Sequence, residues 1–253
     1  MRNQITPVLL TYNEEANIGR ALAKLVWAND IIVVDSASTD RTLSILRAHP
    51  KTRVFTRAFD THAAQWNFAL RETGVRTPWI LALDADYILS NELVSELMGL
   101  SDAESVAGYR ASFAYCIHGQ LLRSSLYPPS VVLFRRSCGN YVQDGHTQRL
   151  MLEGEVRNLS GRILHDDRKP AEQWRAAQAE YACLEAQKLA GSPWKALSWP
   201  DRLRKCFLGP MLVLPYVLFV KGVILDGSKG LIYARQRFYA EWRLVAAMIH
   251  RRG

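Results

Sequence analysis

Strands alternating with helices, with strand after strand running into acidic residues, constrain this chain more than any other feature. Ile5–Thr11 is a first apolar segment and leads into Tyr12-Asn13-Glu14-Glu15. Ile31-Ile-Val-Val-Asp35 is a β-branched run, hence a buried second strand, and continues into Ser36-Ala-Ser-Thr-Asp40. Arg53–Thr56 is a short third strand, and Trp79–Leu83 is a fourth that enters Asp84-Ala85-Asp86. Between them Asn17–Trp27, Thr39–Ala48 and His62–Arg71 read as helices, the second capped by Thr39 or Asp40. This alternation predicts βαβ units, right-handed crossovers and a mainly parallel sheet. Ligands of such sheets bind outside the carboxyl ends of the strands. Three polar, acid-bearing strand ends on one edge therefore mark a site.

The Asp84-Ala85-Asp86 end is the sharpest of the three. Burying a bare carboxylate is costly unless it is paired or bound to a cation. Residues at i and i+2 of a strand share a face, so both acids can address one object. The competing reading is local: Ser90-Asn-Glu follows, a helix start where acids are welcome.

The 253 residues give room for one sizeable α/β domain with an appendage. A net charge of +8 points to phosphates, carried by a nucleotide, a nucleic acid or an anionic membrane. Acids along the sheet edge argue against nucleic acid. No Gly-rich phosphate loop follows the first strand, which argues against a nucleotidyltransferase and an NAD-type dehydrogenase. The four cysteines are scattered without CxxC spacing, so a reducing compartment is expected rather than a disulfide framework or a zinc site. The N-terminus offers no signal-peptide core.

Beyond residue 105 the pattern changes. Val106–Tyr115 and Ser130–Arg136 read as strands, and Gln148–Val156 as a hairpin, together an antiparallel extension suited to an acceptor. From Pro170 the chain is helical, opening with an amphipathic Ala171–Ala190. Residues 207–225 are strongly apolar, but Pro210, Pro215 and Lys221 interrupt them. A membrane span wants about 20 apolar residues. Arg202, Arg204 and Lys205 precede this segment, and Lys229, Arg235 and Arg237 follow it. Apolar residues flanked by base fit a segment lying in a membrane interface better than a buried hairpin. The expected division is a domain over 1–169 and a helical, membrane-associating region over 170–253, whose helices can also pair chains.

Thr11-Tyr-Asn-Glu-Glu15, Asp35-Ser-x-Ser-Thr-Asp40, Gln65-Trp-Asn67, Asp84-Ala-Asp86 and Phe134-Arg-Arg136, in this order, resemble the family 2 inverting glycosyltransferases. Phe219–Gly230 resembles the tail of the branch that includes lipopolysaccharide core β-1,4-glucosyltransferases. The resemblance implies an α/β, A-type glycosyltransferase fold: a Rossmann-like, mainly parallel sheet with an antiparallel acceptor-side extension, followed by C-terminal amphipathic helices. It implies a UDP-sugar donor and Mn²⁺ or Mg²⁺. Thr11, Tyr12, Asn13, Glu14 or Glu15, Asp35, Gln65, Asp84 and Ala85 are then the nucleotide-sugar residues, with Asn67 beside them. Asp86 and His165 are then the metal ligands, and Asp40 is a helix cap. The implied reaction moves a hexose, glucose being the candidate, to a lipid-linked saccharide or a lipopolysaccharide or exopolysaccharide precursor. The implied place is the cytoplasmic face of the inner membrane, as a peripheral or monotopic protein.

Inversion needs a base for the acceptor hydroxyl. Asp144 is the first candidate and His146 the second, because Thr147-Gln148 stands where relatives carry a glutamate after a histidine. Arg168 and Lys169 are candidates for a phosphate. Polyprenyl phosphate as acceptor, and a non-catalytic nucleotide-sugar-binding protein, are the alternatives.

Overall fold

The computed structural model describes residues 2–101 and 105–251. They fall into two compact units. The first comprises residues 1–118, 127–143 and 148–168, and the second comprises 119–126, 144–147 and 169–253.

The first unit is built on β1 (Ile5–Thr11), β2 (Ile31–Asp35), β3 (Thr52–Thr56) and β4 (Trp79–Asp84), all parallel, as the alternation predicts. Helices α1 (Ile18–Ala23), α2 (Thr42–Ala48) and α3 (His62–Arg71) connect them. Both sheet faces are covered, which explains why the strands read as unbroken apolar runs. Leu9, Val33, Leu81 and Leu83 pack with Ile18, Leu22 and Leu46 on one face. Val8, Ile32, Val34 and Ile80 pack with Trp66, Ala69 and Leu70 of α3 on the other. Alternate residues of one strand thus feed two cores.

Two helices are shorter than their spacing predicts. After Ala23 the chain tightens into i→i+3 turns, Leu25 N–H to Leu22 O and Ala28 N–H to Leu25 O, which still bury Trp27 and Ala28. α2 starts at Thr42, and the N–H groups just before it are met by side chains from outside the helix. Asn13 Oδ1 accepts from Thr39 N and Glu15 Oε2 accepts from Arg41 N.

β5 (Tyr87–Leu89) follows β4 after only Ala85 and Asp86, and leads through Ser90 into α4 (Asn91–Gly99). Ser90 caps that helix by accepting from Leu93 N. Next come β6 (Val106–Ile117), a short β7 (Gln120–Leu121), β8 (Ser130–Arg135), β9 (Asn140–Asp144), β10 (Thr147–Met151) and β11 (Glu155–His165). The main sheet runs β3-β2-β1-β4-β8-β6-β11-β5. β8 is antiparallel to β4 and β6, and β11 is parallel to β6. The hairpin expected over 148–156 does not form. β10 pairs back with β9, and Glu155 opens β11 in the main sheet. Its partner β6 lies some 50 residues back in the chain, beyond what local periodicity encodes.

β4 and β5 are neighbours in sequence, yet β8, β6 and β11 stand between them in the sheet order. The sheet therefore curls on itself, and Ala85–Asp86 is the seam where it returns.

The second unit is helical. α5 (Ala171–Gly191) buries only its last turns, through Ala182, Glu185, Ala186 and Leu189. Ala186 and Leu189 meet Leu197, Leu244 and Met248 in a small core. α6 (Trp199–Lys205) and α7 (Gly209–Pro215) follow, then a π turn over Tyr216–Val220 and a 3₁₀ turn over Val223–Asp226. α8 spans Gly227–His250. Gly230 lets α8 close on that turn, since a Cβ there would collide with the carbonyl oxygen of Val223. Among the described residues no single helix is long and apolar enough to cross a membrane. The pair Gly209–Val220 and Val223–His250 would reach the length together but is bent by 71°.

Candidate active site

The carboxyl ends of β1 and β2 are laced together. Thr11 and Asp35 stand in register, and Thr11 Oγ1 donates to Asp35 Oδ2 at 2.8 Å. Ser38 donates to the same carboxylate twice, N–H to Oδ1 at 2.8 Å and Oγ to Oδ2 at 2.6 Å. Asp35 is fully buried. It holds the loop after β2, and its hydrogen-bonding capacity is largely used there. Asn13, at φ 52°, returns the link: its N–H meets Ser38 Oγ and its side chain takes Thr39 N–H. Glu14 N–H donates to Thr42 Oγ1, and Glu15 N–H donates to Asp40 Oδ2. Burial pushes the Asp40 carboxyl up, but hydrogen bonds from Thr42 and Glu15 outweigh it and hold the group below its ordinary value. Tyr12 is exposed at the tip.

Gln65 is buried and bridges Ser36 Oγ and the Arg57 carbonyl, while Arg57 donates to its Oε1. Asn67 clamps the backbone of Tyr141 with a reciprocal pair of hydrogen bonds. Both amides serve the scaffold around the strand ends.

The β4 end is different. His165 closes β11 and is paired in register with Tyr87, the first residue after the seam. This brings His165 Nε2 within 2.9 Å of Asp86 Oδ2. Tyr87, Tyr115 and Tyr127 surround the imidazole at centroid distances of 5.5, 4.7 and 4.7 Å, and the Tyr87 and Tyr127 hydroxyls are bonded to each other. Burial alone would push the His165 pKa down, but the Asp86 charge and hydrogen bond, with Asp84 behind them, raise it. Burial and the Asp84 charge raise the phenols of Tyr87 and Tyr127. Asp84 ends β4 in register with Leu10, and Ala85 is buried in the seam.

A divalent ion fits this pair. Nε2 is the ring nitrogen aimed at the acid, since Nδ1 is buried without a hydrogen-bond partner. One imidazole and one carboxylate are a reasonable donor set for Mn²⁺. Hard ions of this kind are often held by one or two protein carboxylates, the rest of their shell being substrate phosphate and water. Among the described residues no cluster of three such side chains stands ready to hold an ion unaided.

Sequence reasoning missed the network next to this pair. Asp166 N–H donates to the Asp86 carbonyl. The buried Asp166 carboxylate takes Arg20 at 2.7 Å and Arg168 at 2.8 Å, and Asn17 links Glu14, Arg20, Asp167 and the Arg168 backbone. Arg168 is thus bound to its neighbour Asp166. Only Asp166-Asp-Arg168 signalled a cluster. Nothing near Asn17 or Arg20 did.

Asp144 and His146 belong to the second unit, at the tip of the β9–β10 hairpin. Asp144 Oδ1 is bound by Lys188 Nζ at 2.9 Å, and His146 Nδ1 faces Glu185 Oε2 at 3.1 Å. Neither α5 residue was foreseen, although Glu185 and Lys188 lie three apart on one helix face.

With this geometry in place, comparison with known proteins is decisive. Residues 7–147, more than half of the chain, match the model of glycosyl transferase family 2. The chain belongs to that family. The A-type glycosyltransferase fold comes with it. Among the relatives of this family 2 glycosyltransferase is the Rhizobium meliloti lipopolysaccharide core biosynthesis glycosyltransferase LpsC. It is 27% identical over 242 residues, which cover 91% of this chain and 86% of LpsC. An uncharacterized glycosyltransferase of Rickettsia bellii is 37% identical over 98 residues, 38% of this chain and 32% of that protein. A crystal structure of S. aureus TarS residues 1–349 with UDP-GlcNAc superposes with a TM-score of 0.49 at 14% identity, covering 98% of this chain and 91% of that one.

Proposed function

We propose that this family 2 glycosyltransferase is an inverting, divalent-metal-dependent hexosyltransferase. It takes a UDP-sugar, UDP-glucose being the first candidate, and glycosylates a lipid-linked saccharide of lipopolysaccharide or exopolysaccharide. The Asp86–His165 pair at 2.9 Å beside Asp84 carries the reading. It offers an ion two protein ligands at strand ends where a nucleotide diphosphate is expected. Asp86 and His165 would hold the ion, and a bound ion supplies charge neutralisation for the leaving diphosphate. Tyr12, exposed between the β1 and β2 loops, is left to contact the nucleoside. The similarity to LpsC, a lipopolysaccharide core biosynthesis glycosyltransferase, supports the lipopolysaccharide part of this reading.

The second unit supports a place at the cytoplasmic face of the plasma membrane. Met211, Phe219, Val220 and Leu225 are each about 70% exposed, along α7 and the two turns after it. Lys205, Lys221, Lys229 and Arg235 accompany them in sequence. Such an apolar and basic segment is suited to a lipid–water interface.

Calorimetric titration with UDP, with and without Mn²⁺, tests the donor side. Metal-dependent binding is expected, and a protein that binds no UDP under either condition would refute the reading. Flotation with vesicles of about one-third anionic lipid tests the membrane side. A doubly substituted F219S/L225S protein should partition at least tenfold less, since each buried apolar side chain is worth roughly 1.5–3 kcal/mol. Equal partitioning of both proteins would remove this segment from the membrane role.

A further inference from the structure

Resting on the metal reading, we infer that Tyr127 is the positioning residue of the Asp86–His165 pair. Ring packing against it holds the imidazole toward the acid, where a metal-binding imidazole is ordinarily held by a hydrogen bond. Asp86, Tyr87, Phe113, Tyr115, Tyr127 and His165 all belong to the first unit. A ligating histidine usually donates its other ring N–H to a carboxylate, a carbonyl oxygen or water, which fixes the ring. His165 lacks that bond: Nε2 faces Asp86 Oδ2 at 2.9 Å, and Nδ1 is buried without a hydrogen-bond partner. Nor does the side chain fix itself, because the second torsion of a histidine is broad and roughly two-fold. The neighbouring rings therefore set the plane of the imidazole.

The three tyrosines around that ring arrive by different routes. Tyr87 of β5 and Tyr115 of β6 pair in register with His165 itself, so the sheet ladder places them. They meet the imidazole nearly at right angles, at 79° and 84°. Tyr127 belongs to no strand and lies shortly before β8. Pro128 disfavours the helical region for Tyr127, and Pro128 and Pro129 stiffen the backbone that follows it. The Tyr127 ring lies 4.7 Å from the imidazole and 4.8 Å from Phe113, and its hydroxyl is bonded to that of Tyr87. Phe113 and Tyr87 are themselves 5.0 Å apart. Centroid separations of this size are those of packed aromatic pairs. Tyr127 thus meets the imidazole, Tyr87 and Phe113 at once, and closes the box from outside the ladder. Removing its ring takes no residue out of β5, β6 or β11, yet opens one wall. An imidazole ordered on folding needs no further ordering when an ion arrives, and that makes it the tighter ligand.

Two measurements on the full-length protein test this. In calorimetry with UDP, Tyr127→Ala should weaken Mn²⁺-supported binding about tenfold or more, as when a partner behind a metal ligand is removed, and leave metal-free UDP binding unchanged. Tyr127→Phe keeps the ring and loses only the bond to Tyr87, so it should recover most of that loss. Where Tyr127→Ala does not fold, Tyr127→Leu fills the space without an aromatic face and should show the same split in smaller measure. Proton NMR of the metal-free protein reads the ring directly. The His165 ring protons, shifted by the neighbouring rings in wild type and Tyr127→Phe, should move toward ordinary histidine positions in Tyr127→Ala. Wild-type Mn²⁺–UDP affinity in Tyr127→Ala, unmoved His165 resonances, or an equal loss of metal-free UDP binding would overturn the positioning role while the metal reading stands. Wild-type UDP binding that ignores Mn²⁺ overturns both.

Discussion

Asp35 and Asp86 invite comparison, because the sequence introduces them alike: each follows a buried apolar strand at the same edge of one sheet. Their surroundings differ. Asp35 is sealed and accepts from Thr11 and twice from Ser38. Asp86 retains partial exposure, and its carboxylate faces an imidazole. A carboxylate met by fixed hydroxyl and amide donors is a structural lock. One met by a second metal-competent ligand is a place for something to bind. The strand end alone does not say which; the donors brought by neighbouring elements do.

The comparison breaks most readily at Asp35. Asp35→Ala should cost about 2–4 kcal/mol of stability in urea unfolding, because the buried Thr11 and Ser38 donors lose their acceptor. Asp86→Asn, which keeps a side-chain acceptor facing His165, should cost less than Asp35→Ala in the same assay. The order inverts for ligand: Asp86→Ala should weaken UDP–Mn²⁺ binding by a hundredfold or so, whereas it should leave metal-free UDP binding nearly intact. If Asp35→Ala folds with full stability, the lock is refuted. Thr11→Val, which removes one of three donors, sharpens the contrast at a smaller scale, about 1 kcal/mol, read as a shift in the urea midpoint without a change in slope.

Glu185 stands between the two cases, buried like Asp35 and facing an imidazole like Asp86. Its pKa is depressed on folding, so its contribution to stability is full above the unfolded value near 4.5 and is lost as pH falls through the folded value. Wild-type stability should therefore decline more steeply than that of Glu185→Gln below about pH 4.5. Parallel acid-titration curves for the two proteins would contradict that direction.

The legible parts of the fold were those set by local pattern. β1, β2 and α3 begin and end where their apolar spacing places them, and β4 differs only by including Asp84. What stayed hidden depends on distant partners. Gln148–Val156 looked like a hairpin because nothing local shows that the strand opening at Glu155 has Val106–Ile117 as its parallel neighbour. The helix at Asn17 looked longer because the i→i+3 turns after Ala23 still bury Leu25, Trp27 and Ala28, which mimics helical spacing. In the candidate site the acids were visible as strand ends. Glu185 was one of many polar residues on an Ala- and Gln-rich helix, and only the hairpin tip reaching it singles it out.

The seam at Ala85–Asp86 bears on how the chain acquires its fold. Asp86 and His165 meet across 79 residues, and β5 takes its place only when β11 arrives. Closing so long a loop is entropically unfavourable and slow relative to the βαβ half, whose contacts are nearer in sequence. During synthesis the first four strands can collapse while the seam still dangles. The protein therefore becomes competent late, when the end of β11 has left the ribosome, and a nascent chain that halts before residue 155 carries every acid of the sheet edge yet lacks the strand that turns Asp86 into half of a pair.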